Sequence, residues 1–230
     1  MGEFGFSASP GRVRLLAEIA DRLGRVELGH PLRVGIDGIC GAGKSWFARD
    51  LAAAVSERGR PVVHIDSDGF HHVREHRYRQ GRDSARGYYE DAYDFDALAE
   101  RVLRPLGPGG NGSYAVKVHD LVSDAVVDDQ TANAPSDAVV IFDATFIQRN
   151  GLRSLWDEVI YLHADEDAAM ARGVARDSAA MGGHDSARAA YDSRYMAACR
   201  IYLGEQDPRA QASIVIDNTD PNEPIVQRSS

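Results

Sequence analysis

Short apolar runs alternate with segments of helical periodicity along most of this chain. Five runs rich in Val, Ile and Leu have the character of strands buried on both faces. They are 32–37, 62–66, 138–143, 158–163 and 213–217. Helical patterns include the stripe Val13, Leu16, Ile19, Ala20 and Leu23, the stripe Phe47, Leu51 and Val55, and the segments 95–105, 151–157, 165–177 and 186–204. Strands alternating with helices predict a parallel sheet covered by helices on both faces.

Two stretches interrupt this alternation. Residues 67–93 are rich in Arg, His and Tyr, and 106–127 joins a Pro/Gly loop to alternating apolar positions typical of a small hairpin. Insertions at the carboxyl ends of parallel strands lie where such folds bind ligands, so we expect both to bind substrate. Residues 1–10 are expected to be a tag remnant or a disordered N-terminus, and 11–230 a single domain.

Composition narrows the class of protein. A chain of 230 residues with 43% hydrophobic content fits one α/β domain, and its net charge of −9 argues against nucleic acid as a partner. No apolar run approaches the roughly 18 residues that a membrane helix needs. The two cysteines, Cys40 and Cys199, form no metal or redox motif, which favours a cytoplasmic location. The oligomeric state stays open, and a homo-oligomer is compatible with the sequence.

The first predicted strand leads into a glycine-rich loop. Residues 38–45 read Gly-Ile-Cys-Gly-Ala-Gly-Lys-Ser, the P-loop pattern G-x-x-x-x-G-K-[ST]. Backbone N–H groups of such a loop surround a phosphate, the lysine reaches the β/γ-phosphates, and the serine hydroxyl binds Mg²⁺. The predicted nucleotide-binding residues are Gly38, Gly41, Ala42, Gly43, Lys44, Ser45 and Trp46. For Trp46, packing is favoured over stacking on adenine.

Carboxylates end two of the other predicted strands. Asp143 ends the run 138–143, at the sheet edge where a Walker B carboxylate holds Mg²⁺ directly or through water. Asp66 and Asp68 follow the second strand, where a carboxylate can accept the proton of an acceptor hydroxyl. We favour Asp68 as this base because it lies beyond the strand end. Each aspartate could instead serve only as a turn or cap residue.

These motifs resemble the uridine kinase family of P-loop kinases, with its phosphoribulokinase and pantothenate kinase relatives. The matching pieces between Val34 and Asn218 are the P-loop, 68–71, 93–96, 118–121, Asp143, Arg172 and the pair Arg176-Asp177. The resemblance implies a three-layer α/β/α P-loop fold with a five-stranded parallel sheet, a hairpin insertion and a lid at 172–190. It also implies transfer of the γ-phosphoryl group of ATP or GTP to a hydroxyl group.

The resemblance further implies a role for each matching residue. Ser45, Asp68 and Asp143 would surround Mg²⁺, and Asp68 would also be the base. Arg176 would lie over the transferring phosphoryl group, with Lys44 as the other catalytic cation. The substrate-binding residues would be Tyr93, Asp94, His119, Asp124 and Arg172. Asp94 would hold the diol of the acceptor, which would favour ribonucleosides over their 2′-deoxy analogues.

Two departures from the family pattern leave the acceptor open. Uridine kinases place a Tyr and a His around uracil, whereas the matching positions here are His119 and Asp124. The lid segment 178–184 lacks the further arginines of the family, and Arg188 is a candidate replacement. A nucleoside 5′-hydroxyl is the leading acceptor, and pantothenate, a sugar or a sugar phosphate are alternatives. A nucleotide-binding regulator is a further alternative, although the guanine motif Asn-Lys-x-Asp of GTPases is absent.

Overall fold

The computed structural model describes residues 9–229 as alternating helices and strands. The helices are α1 (Pro10–Gly24), α2 (Lys44–Ser56), α3 (Arg74–Arg77), α4 (Ala85–Asp91), α5 (Phe95–Leu98), α6 (Glu166–Asp177), α7 (His184–Ala190), α8 (Ala197–Gln206) and α9 (Pro208–Gln211). The strands are β1 (Leu32–Gly38), β2 (Val62–Ile65), β3 (Ser113–Ala115), β4 (His119–Asp120), β5 (Ala125–Val126), β6 (Thr131–Asn133), β7 (Val139–Asp143), β8 (Glu158–His163), β9 (Ile214–Asp217) and β10 (Ile225–Ser229). Single 3₁₀ turns occupy Ser67–Phe70 and Leu152–Leu155, and π-helical turns occupy Ala99–Leu103 and Tyr191–Met196.

The main sheet has the strand order β10-β9-β8-β1-β7-β2. The five predicted strands are all present and parallel, which confirms the predicted fold class. The prediction of five strands is nevertheless incomplete, because β10 pairs antiparallel with β9 at the edge. Every residue of β10 is exposed, so this segment carries no buried apolar run that would mark it as a strand.

The register of the central strands brings the predicted site residues to one edge of the sheet. Ile36 of β1 lies opposite Asp143 of β7, and Ile65 of β2 lies opposite Phe142. The carboxyl ends of β1, β2 and β7 therefore meet, and the segments that follow them converge. All seven residues of β1 are buried, as expected for a strand with helices on both faces.

Helix α2 packs on β1, β2 and β7 of this sheet, and α1 packs on α2. In α1 the predicted stripe is buried except for Val13, which is 54% exposed, and Arg12 is buried instead. Arg12 donates to Asp50 of α2 and to the carbonyl of Pro221, so its charge is compensated. Helix α1 begins at Pro10 with Ser9 as its N-cap, so these two residues of the segment set apart as 1–10 belong to the start of the helix. Residues 1–8 lie outside the described part.

The two insertions fold as predicted in outline. The stretch 67–93 carries α3 and α4, and the region after residue 106 forms two small antiparallel pairs, β3 with β6 and β4 with β5. The hairpin therefore extends past the predicted end at residue 127, to Asn133. Among residues 9–229, no helix combines the length and apolarity needed to cross a bilayer.

Candidate active site

Two glycines give the P-loop its shape. Gly41 has φ +77°, and a Cβ added there would lie 2.0 Å from the carbonyl oxygen of Ala169 in α6. Gly43 has φ +93° and is the N-cap of α2. Both positions need the left-handed conformation that glycine alone adopts at little cost, and at Gly41 there is also no room for a side chain. The motif spacing in the sequence therefore reflects backbone geometry.

The P-loop is braced from behind by residues distant in sequence. Arg172 Nε donates to the carbonyl of Gly41 at 3.0 Å, and Asn218 Nδ2 donates to that of Ala42 at 2.7 Å. At the loop entrance the buried carboxylate of Asp37 accepts from the Gly38 N–H at 2.8 Å. Burial raises the pKa of Asp37, and hydrogen bonds from Gln148 and Tyr202 oppose this shift. The loop is thus held in place by partners outside the motif.

The Lys44 ammonium group lies across the loop. Its Nζ donates to the carbonyls of Gly38 and Ile39 at 3.0 and 2.9 Å and to Thr145 Oγ1 at 2.9 Å. Thr145 follows Asp143 by two residues, so the end of β7 positions both the lysine and the carboxylate. Helix α2 begins at Lys44, and its N-terminal dipole adds positive potential at the same place.

Ser45 and Asp143 form the group that suits Mg²⁺. Ser45 Oγ donates to Asp143 Oδ2 at 2.7 Å, and His64 Nε2 lies 3.1 Å from the other carboxylate oxygen. Hydroxyl and carboxylate oxygens are hard ligands of the kind Mg²⁺ prefers, and phosphates usually complete its shell. Residues 9–229 contain no group of three or more His, Cys, Asp and Glu arranged to hold a metal ion. Ser45 and Asp143 are thus the residues here whose oxygen atoms suit Mg²⁺.

Asp68 faces the same edge from the end of β2. Burial raises the pKa of Asp68, the carboxylates of Asp66 and Asp143 raise it further, and Arg176 opposes the shift. Asp66 plays a different part, because its Oδ1 accepts the backbone N–H of Asp68 at 2.9 Å. Asp66 is therefore a cap residue, while Asp68 lines the same cavity as Asp143 and Arg176. Asp68 stays the candidate base.

A cavity of about 540 Å³ opens between the P-loop, the 67–93 insertion and the helical segment 184–206. It is lined by Cys40, Gly41, Lys44, Ser45, Ser67, Asp68, His71, Arg77, Tyr78, Tyr88, Ala92, Tyr93, Asp143, Ala144, Thr145, Arg176, Asp177, Tyr191, Arg194 and Tyr195. The structure thus brings together Lys44, Ser45, Asp68, Asp143, Arg176 and Tyr93 from the predicted set. A small metabolite fits in a space of this size beside the P-loop.

Arg176 lies at the rim of this cavity in a fixed pair. Its Nε and Nη2 donate to the two oxygens of Asp177 at 2.8 and 2.9 Å. Tyr191 OH donates to the same carboxylate at 2.7 Å and ties α6 to the π-helical turn. Arg176 is within electrostatic range of Asp68, because it lowers the pKa of that carboxyl.

Four predicted substrate ligands are absent from the cavity wall. Asp94 caps α5, accepting from the Ala97 N–H at 2.9 Å. His119 Nε2 lies 3.0 Å from Asp124, which also accepts from the Arg74 N–H at 2.9 Å. Asp124 therefore joins the hairpin to α3, and His119 contacts Asp124 from within the hairpin. Arg172 lies behind the P-loop, as described above. Trp46, predicted on the nucleotide side, is also outside the wall and stacks with the Arg49 guanidinium at 3.9 Å.

Several residues in or beside the cavity were missed from the sequence. Thr145 and Arg194 line it, whereas His64 contacts Asp143 and Cys199 accepts from the backbone N–H of Cys40. Thr145 and His64 are polar residues at or beside the predicted strand ends, and this position was an available signal for both. Arg194 and Cys199 come from the segment 184–206, where nothing in the periodicity marks them. The candidate lid replacement Arg188 is not on the cavity wall, whereas Arg194 is.

The fold, the P-loop and the adjoining carboxylates define a P-loop kinase. The sequence model of the phosphoribulokinase/uridine kinase family matches residues 34–219. The chain therefore belongs to this family, whose members are phosphotransferases that act on hydroxyl groups. The predicted family membership and enzyme class are confirmed.

Similar proteins agree with this assignment. A uridine kinase of Brevibacillus brevis is 25% identical over 153 residues, which cover 65% of this chain and 68% of the relative. A solved structure described as a possible uridine kinase from Bacillus stearothermophilus has a TM-score of 0.68 at 20% identity, covering 88% of this chain and 98% of that one. D-glycerate 3-kinase of Cryptococcus neoformans has a TM-score of 0.55 at 14% identity, covering 85% and 88%. These structural neighbours share the fold.

Proposed function

We propose that this protein is an ATP-dependent kinase that phosphorylates a hydroxyl group of a small metabolite held in the cavity beside the P-loop. The observation that carries this proposal is the juxtaposition of Asp68, Lys44 and Asp143 around one cavity. A P-loop alone indicates that a nucleoside triphosphate binds. Asp68, a carboxylate with a raised pKa on the same cavity, is a group that can act on an acceptor hydroxyl.

On the donor side, the loop N–H groups and Lys44 would bind the phosphates of ATP, and GTP is the alternative donor. Ser45 and Asp143 would hold Mg²⁺, which when bound neutralises charge on the β- and γ-phosphates. Arg176 would add positive charge at the rim. In phosphoryl transfer most of the catalysis comes from such positioning and charge stabilisation.

On the acceptor side, Asp68 would orient the acceptor hydroxyl and take its proton as the oxygen bonds to phosphorus. The Asp68 carboxyl is raised in pKa because it is partly buried beside Asp66 and Asp143, so the ionised form is a stronger base than an exposed aspartate. The acceptor oxygen would bond to the γ-phosphorus as the bond from that phosphorus to the β,γ-bridging oxygen breaks. ADP would leave with that oxygen, and the hydroxyl proton would stay on Asp68.

The acceptor proposal is broader than a nucleoside. Relatives named uridine kinase favour a nucleoside 5′-hydroxyl, the leading prediction from sequence. The contacts expected to read a nucleoside are engaged elsewhere, because Asp94 caps a helix and Asp124 joins the hairpin to α3. A fold neighbour named D-glycerate 3-kinase supports the alternative of a small hydroxylated acid. We therefore propose a small hydroxylated metabolite, with a nucleoside as one member of the class.

Acceptor-dependent ADP release tests this function. The purified protein with MgATP is assayed with nucleosides, pantothenate, glycerate, sugars and sugar phosphates, and the phosphorylated product is identified by mass spectrometry. We expect ADP release that depends on one acceptor and is lost in Asp68→Asn. ATP binding with no stimulation by any acceptor would favour the nucleotide-binding regulator and contradict the kinase proposal.

A further inference from the structure

The Arg194 guanidinium sits among aromatic rings on the acceptor side of the cavity. Its central carbon lies 5.2 Å from the ring centre of Tyr78, 5.1 Å from Tyr88 and 5.3 Å from Tyr195. Tyr78 and Tyr88 belong to the 67–93 insertion, the same insertion that carries Asp68. Arg194 belongs to the π-helical turn Tyr191–Met196, and such turns often occur at functional sites.

Within residues 9–229, the side chain of Arg194 has ring contacts but no hydrogen bond or ion pair. Its Nε is buried and without a hydrogen-bond partner. Among the acidic residues on the wall, the carboxylate of Asp177 is already shared by Arg176 and Tyr191. A buried N–H donor without a partner is costly, so a cationic donor held in this state indicates a partner that the chain itself does not supply.

Arg77 repeats this arrangement on the same wall. Its Nη2 donates to Asp124 at 3.2 Å, yet its Nε is also buried without a partner. Its guanidinium carbon lies 5.7 Å from the Tyr78 ring, so one ring adjoins the guanidinium groups of both Arg77 and Arg194. Arg77 pairs with Asp124, whereas the Arg194 side chain has no acidic partner within residues 9–229, so this end of the cavity carries a positive charge that the chain leaves unpaired. Arg82 also adjoins the Tyr78 ring, at 5.0 Å, but is not on the cavity wall.

We propose that the acceptor of this kinase carries an anionic group, a carboxylate or a phosphate, which binds to Arg194 with Arg77 beside it. A guanidinium presents Nε and Nη as parallel donors that match two oxygens of one anion. The inference rests on the proposed function and narrows its substrate class. The donor phosphates already have Lys44 and the P-loop N–H groups, whereas Arg194 adjoins the insertion that carries the candidate base.

Matched acceptor pairs test this inference. Each pair differs in its anionic group: D-glycerate with glycerol, pantothenate with pantothenol, orotidine with uridine, and ribose 5-phosphate with ribose. In the wild-type protein we expect at least one anionic member to exceed its neutral partner tenfold or more in kcat/KM. Arg194→Gln should lower kcat/KM for that anionic acceptor at least thirtyfold, mainly through KM. It should leave the neutral partner and the KM for ATP within about threefold.

Arg200→Gln is the matched control. Arg200 lies further along the same helical segment, is exposed, and pairs with Glu166 outside the cavity. It should behave like the wild type with every acceptor. Arg194→Lys provides a second variant: it keeps the charge without the paired donors, so it should recover part of the anion preference.

The outcomes separate the inference from the proposed function. Turnover of the neutral member equal to or above the anionic member in every active pair overturns the inference and leaves the kinase proposal standing. A rise in the KM for ATP, with unchanged acceptor KM, also overturns it and assigns Arg194 to the donor. If no acceptor stimulates ADP release, calorimetric binding of the four anionic compounds to protein saturated with Mg²⁺ and AMP-PNP decides. Binding that Arg194→Gln abolishes supports the inference, and absence of binding overturns it.

Discussion

The donor side and the acceptor side of the cavity are built in different ways. The donor side is one contiguous stretch, residues 38–45, whose backbone N–H groups would bind the phosphates of the nucleotide. The acceptor side is made by side chains of the 67–93 insertion and of the segment 184–206, which are about a hundred residues apart in sequence. Phosphate binding by backbone N–H groups requires glycines at fixed spacing, so it leaves a sequence pattern, whereas a side-chain pocket assembled by tertiary packing leaves none.

The two sides also differ in how their polar groups are hydrogen-bonded. The P-loop is held by Arg172, Asn218 and Asp37, none of which belongs to its motif. Buried polar atoms without a partner occur on both sides: Arg77 Nε and Arg194 Nε on the acceptor wall, and Arg172 Nη2 and Asn218 Oδ1 behind the P-loop. The difference is that Arg172 and Asn218 still donate to loop carbonyls, whereas the Arg194 side chain makes no hydrogen bond within residues 9–229.

The largest expected effect is on the donor side. Lys44→Ala should lower kcat/KM about a thousandfold or more, roughly 4 kcal/mol, because it removes the cation aimed at the β/γ-phosphates. The midpoint temperature of thermal unfolding should shift by only a few degrees, since the loop keeps its hydrogen bonds from Arg172 and Asn218. Lys117→Ala, which removes an ion pair with Asp120 in the hairpin, is the control and should retain activity. More than about a tenth of wild-type kcat/KM in Lys44→Ala would contradict the P-loop assignment.

Asp68→Asn is the next test, and it acts on the acceptor side. We expect turnover to fall about a hundredfold or more, while affinity for MgATP stays within about tenfold, because the amide cannot take the hydroxyl proton. Asp66→Asn is the matched variant. An asparagine oxygen can still accept the Asp68 N–H, so this variant should keep most activity. Steady-state kinetics with calorimetric MgATP binding measure both effects, and the reverse ranking would assign the base to Asp66.

The sequence predicted the parts of the molecule that depend on local chemistry. The five parallel strands, the P-loop and the carboxylate at the end of β7 follow from apolar runs and fixed spacing. The edge strand β10 was missed because its pairing with β9 does not bury it. Arg12 was missed as a core residue because its burial depends on Asp50 and Pro221, which are distant in sequence.

On the acceptor side, the sequence predicted less. Asp94 and Asp124 match family positions, yet a helix N-terminus and the Arg74 N–H hold their carboxylates in this structure. Sequence position alone cannot decide which of several donors a carboxylate will accept from. Arg194 lies in a π-helical turn and lines the cavity. A π-helical turn changes which residues face the same side of a helix, so a pattern with a period of 3.6 residues could not predict this position.

Cys40 belongs to the P-loop and lines the cavity, and its rate of alkylation should depend on pH in a way that can be measured. A hydrogen bond with Cys199 and, after it, the charge of Lys44 lower the pKa of Cys40 to about 6, although burial opposes the shift. The thiolate is then already dominant at pH 7. Alkylation by iodoacetamide should therefore change less than twofold between pH 7 and 9, whereas a thiol of pKa 8.5 gains roughly 25-fold in thiolate.

MgATP should slow this alkylation, because Cys40 belongs to the P-loop and lines the cavity. Cys199 is the internal control: it is buried and its pKa is raised well above the usual range, so it should stay unlabelled. Peptide mapping by mass spectrometry distinguishes the two cysteines. A steep rise in labelling of Cys40 between pH 7 and 9 would contradict the hydrogen bond from Cys199.

The smallest effect concerns Asp94 and sharpens the description of the acceptor side. If its carboxylate serves mainly as the N-cap of α5, Asp94→Ala should lower the free energy of unfolding by about 1 kcal/mol, measured in urea. Asp94→Asn keeps an oxygen for the cap and should cost less. Asp96→Ala, an exposed neighbour in the same turn, is the control. A ligand of the acceptor diol affects substrate selectivity, whereas a helix cap affects folding. If Asp94→Ala leaves stability unchanged but removes a preference for ribonucleosides over 2′-deoxynucleosides, Asp94 belongs to the acceptor site instead.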